Sequence, residues 1–141
     1  MHSNLEFAKN LLLAQDYTCV LYNGKDTLTS NERGVKPLLQ WLESGQDMTD
    51  FCAADKVIGK GAAFLYVLLG IKQVYATVIS ESAKHVLEKN GIALEYDTLV
   101  DRIMNRTRTG FCPIETAVAE IEDANEALRV IKATLRELAG N

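Results

Sequence analysis

Apolar positions along the chain recur at helical spacing in some stretches and at alternate positions in others. Ser3 with Glu6 is a capping box, so a helix is expected from there to about Gln15, with Leu5, Ala8, Leu11 and Leu12 on one side. In "YTCVLYNGKDTLTS" the residues around Tyr17–Tyr22 alternate, and Asn23-Gly24 signals a hairpin with a return strand near Lys25–Thr29. A second helix is expected over about Lys36–Ser44, with Pro37 in its first turn and Gly45 as its stop. "FCAADKVIG" has room for a short strand. The stretch that organises the rest is "DKVIGKGAAFLYVLL" at Asp55–Leu69, read as a small polar loop feeding a helix. From Gly61 to Ile71 no residue is charged, and a helix that is apolar all round belongs in a protein's interior.

"KQVYATVIS" is a β-branched, nearly continuous apolar run and reads as a central strand covered on both faces. Ser80 caps a helix "ESAKHVLEKN" that Gly91 ends. "ALEYDTLVD" is a strand with Leu94, Tyr96 and Thr98 on one side, followed by the polar loop "RIMNRTRTGF". From Pro113, apolar residues at Ile114, Val118, Ile121, Leu128, Ile131, Leu135 and Leu138 keep one face, and Asp123 with Glu126 predicts a break into two helices. Strands alternating with helices after a hairpin give an α/β fold, a three-layer α/β/α sandwich with a mixed sheet, as one domain over residues 1–141.

Composition narrows the function classes. A chain of 141 residues with 48% hydrophobic and 24% charged residues has the make-up of one globular domain. A net charge of −4 argues against general nucleic-acid binding, which needs clustered Lys and Arg. No run approaches the roughly 20 apolar residues of a membrane span. "MHSNLEFAKN" lacks the form of a signal peptide. Cys19, Cys52 and Cys112 are odd in number and far apart, which suits reduced thiols and a cytoplasmic setting. With His2 and His85 the only imidazoles, no zinc-ligand spacing can be written, and neither a metal nor a cofactor is expected.

Three strings carry a resemblance over about Tyr17–Glu115: "NERGVKPLL" at Asn31–Leu39, "DKVIGKGAA" at Asp55–Ala63 and "NRTRTGFCPIE" at Asn105–Glu115. They resemble an uncharacterised prokaryotic family assigned to the cytidine deaminase-like fold, and the element order is similar to that fold. The resemblance implies a deaminase-like sheet with the buried helix packed on it. Zinc deaminases place His-x-Glu at the start of the buried helix and Pro-Cys-x-x-Cys at the start of the next. Here those places hold Gly59-Lys60-Gly61 and Ser80-Glu81-Ser82-Ala83-Lys84-His85, so zinc-dependent deamination is not expected.

Four features bear on chemistry, each with an ordinary structural reading beside it. Asp55, Lys56, Gly59, Lys60 and Gly61 lead into a helix N-terminus, where free N–H groups, the helix dipole and two lysines suit an anion. The same glycines equally serve tight entry of the helix into the core. Ser80, Glu81 and Ser82 stand at the carboxyl end of the central strand, where open α/β sheets bind ligands, with Glu81 a candidate acid or base. Simple capping also explains them. Cys112 precedes Pro113 at a helix start, a setting that favours thiolate; a packing thiol is the alternative. Asn105, Arg106 and Arg108 form a basic loop suited to phosphate or carboxylate, or merely to water.

The functional expectation is a zinc-free deaminase-like domain binding a small anionic ligand such as a nucleotide, through Asp55, Lys56, Gly59, Lys60, Gly61, Ser80, Ser82, Asn105, Arg106 and Arg108. The alternatives are a thiol-dependent enzyme using Cys112, with Lys60 or Glu81 assisting, and a non-catalytic homo-oligomer acting through self-association. No nucleic acid and no membrane partner is expected.

Overall fold

A computed structural model describes residues 3–32, 34–103 and 112–140. Among the described residues, six helices and five strands follow one another as α1 (Asn4–Ala14), β1 (Cys19–Tyr22), β2 (Thr27–Ser30), α2 (Lys36–Glu43), β3 (Cys52–Ile58), α3 (Lys60–Leu69), β4 (Gln73–Ser80), α4 (Glu81–Lys89), β5 (Ala93–Val100), α5 (Pro113–Val118) and α6 (Ala124–Gly140). The fold is α/β with a mixed sheet in the order β2-β1-β3-β4-β5. β1 runs antiparallel to β2 and β3, whereas β3, β4 and β5 are parallel.

Alternation along the strands sends side chains into two separate apolar clusters. Val20, Cys52, Ala54 and Tyr75 join Ala8 and Leu12 of α1. Leu21, Ala53, Val74 and Ala76 face a larger cluster, to which α2, α3, α4, α5 and α6 all contribute. α3 lies at the centre of that cluster, in contact with α2, α4, α5 and α6. Phe64, Leu65 and Tyr66 on it are at most 2% exposed. Each such side chain contributes on the order of 1.5–3 kcal/mol through burial. That is why the charge-free run from Gly61 is a core helix, and Gly70 ends it in the left-handed region at φ 78°.

Three N-caps are found where they are expected. Ser3 Oγ accepts from Glu6 N–H at 3.0 Å, Ser80 Oγ from Ala83 N–H at 3.2 Å, and Asp123 Oδ2 from Glu126 N–H at 2.9 Å. The C-terminal region divides at Asp123 into α5 and α6, as the second capping box predicts.

Three expectations need correction. The hairpin turn is longer than two residues, because Tyr22 pairs with Thr27 and leaves four residues between the strands. The Asn23 side chain accepts from the N–H groups of Lys25 and Asp26, diverting them from the ladder. The stretch beginning at Asp55 is not a polar loop. Asp55 and Lys56 lie inside β3, a seven-residue strand in the middle of the sheet, and Gly59 alone separates it from α3. Alternation reconciles the two charges with a strand, because Asp55 turns inward to α3 while Lys56 reaches out to Asp16 at 3.8 Å. β4 is covered on both faces only in part: Tyr75 is fully buried beneath α1, but Thr77 and Val78 are half-exposed.

Candidate functional site

Parallel pairing of β3 with β4 sets Ile58 beside Ile79, so both strands end at the same edge of the sheet. The next residues open α3 and α4, and the two helix N-termini therefore stand side by side. This brings together Gly59, Lys60 and Gly61 with Ser80, Glu81 and Ser82. It is the position where parallel α/β sheets offer helix N–H groups to ligands.

At the mouth of α3 the free N–H groups already hold a carboxylate. Glu115 of α5 accepts from Lys60 N–H at 2.8 Å through Oε1 and from Gly61 N–H at 3.1 Å through Oε2. The helix has no local side-chain cap, since Gly59 occupies the N-cap position. Charged hydrogen bonds of this kind are about twice as strong as neutral ones, and the positive end of the helix dipole adds to them. The Lys60 side chain, 7% exposed, runs the other way and donates from Nζ to the Ala119 carbonyl at 2.9 Å. One lysine thus grips α5 at both ends, by its backbone N–H at Glu115 and by its ammonium at Ala119.

The glycines follow from this contact. A Cβ on Gly59 would sit 2.4 Å from the Glu115 Cδ, and one on Gly61 would sit 2.6 Å from Ile114 Cγ2. A side chain at either position would force Glu115 or Ile114 of α5 to shift.

The remaining candidates are distributed unevenly. Ser80 is fully buried, and its hydroxyl lies 3.3 Å from that of Ser82, which is exposed together with Glu81. Cys112 occupies the N-cap position of α5 and is half-buried, and its thiol makes no capping hydrogen bond. Through Glu115, three residues on, it belongs to the same end of the molecule. Glu115 has the N3 position for capping α5 itself, but its carboxylate is spent on α3 instead. Asp55 and Lys56 lie on opposite faces of β3 and do not join this group. Asn105, Arg106 and Arg108 lie outside the described residues.

Sequence reasoning missed two features. Glu115 was visible only as the third residue of a helix, with nothing to indicate a partner 54 positions away. The other is a buried chain of polar groups, Cys19, Tyr66 and Asp55, linking β1, α3 and β3. Its signal was present: a lone carboxyl in the apolar run "CAADKVI" and a lone phenol in "AAFLYVLL" are polar tips that must find partners inside. Two surface depressions lie elsewhere, one of about 500 Å³ along α2 by Lys36, Gln40 and Glu43, the other of about 230 Å³ by Lys9 and Glu95. Among the described residues, no helix is long and apolar enough to cross a membrane.

An α/β domain with a mixed five-stranded sheet, in which two helices open side by side at the carboxyl edge of the parallel strands, is the class that these observations define. Residues 7–135 match the family model of a domain of unknown function, DUF1893 (TM1506), and the chain belongs to that family. The crystal structure of a DUF1893 family protein (TM1506) from Thermotoga maritima is similar throughout. It superposes with a TM-score of 0.86 at 24% identity, over 94% of this chain and 91% of that one. At that identity the likeness speaks for the fold alone. No curated protein matches the sequence.

Proposed function

We propose that the chain is a deaminase-like domain without the zinc motifs, built as a three-layer α/β/α sandwich, that binds a small anionic ligand at the carboxyl edge of β3 and β4. The ligand's anionic group exchanges with Glu115 at the mouth of α3, and the hydroxyls of Ser80 and Ser82 hold a neighbouring polar group. One observation carries this reading: the N–H groups of Lys60 and Gly61 already bind a carboxylate. The site therefore has the geometry and the sign of potential that an anion requires. In this reading Glu81, exposed at the first turn of α4, accepts from a ligand hydroxyl or amine.

The test is calorimetric titration of the intact protein and of Glu115→Gln with inorganic phosphate, pyrophosphate and a panel of nucleotides. The variant keeps the side chain's shape and removes the competing charge. Binding to the wild type, tightened on the order of tenfold in the variant, is the expected result; a tenfold change corresponds to about 1.4 kcal/mol. Absence of binding by both proteins at millimolar ligand would refute the reading.

A further inference from the structure

Away from the helix mouths, the buried ionisable groups form one connected chain. Asp55 Oδ2 accepts from the Tyr66 hydroxyl at 2.7 Å, and Oδ1 accepts from Val57 N–H at 3.3 Å. Tyr66 Oη lies 3.3 Å from Cys19 Sγ, and Cys19 faces Asp55 across the β1–β3 pair. Asp55, Tyr66 and Cys19 are 8%, 0% and 2% exposed. Tyr66 has one proton to give and directs it at the carboxylate, so the thiol proton points to the phenol oxygen. From β4 the residue opposite Asp55 is Ala76, which carries no charge. The lysines nearest in sequence are engaged elsewhere, Lys56 with Asp16 and Lys60 with the Ala119 carbonyl. No ion pair joins Asp55 to a cation among the described residues.

We propose that Asp55 is a proton-linked latch between the sheet and α3. Protonated, it leaves the Cys19–Tyr66–Asp55 chain neutral; ionised, it places in the core a charge with no ion-pair partner among the described residues, which the Tyr66 hydroxyl offsets only in part, and the packing of α3 on the sheet loses stability. This inference does not depend on the ligand-binding reading, because the latch lies inside the core and not at the helix mouths.

Desolvation raises all three groups. It lifts the Asp55 carboxyl to about 7, with the Tyr66 and backbone hydrogen bonds pulling the other way. Burial pushes the Cys19 thiol and the Tyr66 phenol upward too, leaving Asp55 as the member that titrates near neutrality. The unfolded chain releases this proton near pH 3.9. Between those two values the folded state holds a proton that the unfolded state has lost. Stability from this group is therefore full below about pH 4, falls progressively as the pH rises to about 7, and is constant above that.

The first test needs no variant: the pH titration of the Asp55 side-chain carbon-13 resonance in the intact protein. A midpoint near 7 is expected, and one below about 5 overturns the latch. The second compares unfolding constants of the wild type and Asp55→Asn at pH 5 and 8. Over this range the wild-type constant is expected to rise about a hundredfold more than the variant's. Parallel profiles overturn the proposal. Tyr66→Phe, which removes one donor to the carboxylate, is expected to move the carbon-13 midpoint further up; an unmoved midpoint overturns the chain. Should Asp55→Asn fail to fold, the wild-type titration decides.

Discussion

The two helices that begin at the carboxyl edge of the sheet solve the same problem in different ways. Each must satisfy N–H groups in its first turn. α4 does so locally, through Ser80 and the N–H of Ala83 three residues on. α3 begins at a glycine with no side chain to offer, and its partner is Glu115, brought in by α5. A locally capped helix end is settled by its own sequence. One capped from a distance is a joint between parts of the chain, and a joint can be opened by a competitor. That difference is why the ligand-exchange proposal falls on α3 and not on α4.

The sharpest way to break the comparison is Glu115→Ala. It strips the acceptor from two N–H groups in a largely buried turn, and loss of such charged hydrogen bonds is expected to cost about 2–3 kcal/mol. Urea denaturation would measure it, and a loss no greater than that of Ser80→Ala would mean that the distant cap is not the stronger one. Gly61→Ala comes next. Its Cβ would meet Ile114 Cγ2 at 2.6 Å, so α5 must shift, at an expected cost of about 1–3 kcal/mol. Combining it with Glu115→Ala is expected to cost less than the sum, because both act on the same α3–α5 contact. Ser80→Ala is the smallest change. It removes one local cap at about 1 kcal/mol, and hydrogen exchange should show the loss confined to the first turn of α4.

The same contrast separates what could be read in the sequence from what could not. Caps within three residues were legible, namely Ser3 with Glu6, Ser80 with Ala83, and Asp123 with Glu126, and so was the buried helix, because "GAAFLYVLL" has no polar face. A strand within "FCAADKVIG" is legible and is found as β3, but its second half also reads as a polar loop because Asp55 and Lys56 are adjacent charges. In a strand, adjacent residues look to opposite sides, so one met Tyr66 and the other met solvent near Asp16. The mouth of α3 reads in sequence as a place for an anionic ligand, whereas the carboxylate that the structure sets there is Glu115, to which nothing local to Lys60 or Gly61 points. The grouping of Asp55 and Lys56 with the glycines rested on the loop reading and dissolved with it.

The separation between α3 and its cap also has a meaning in time. Gly61 and Glu115 are 54 residues apart, and at about 5–20 residues per second the ribosome needs roughly 3–11 s to cover that interval. Over that interval the most apolar helix of the chain exists without the carboxylate that completes its first turn and without the helices α5 and α6 that cover it. Apolar surface left uncovered in this way makes an incompletely folded chain prone to aggregate, and the docking of α5 and α6 on α3 removes it.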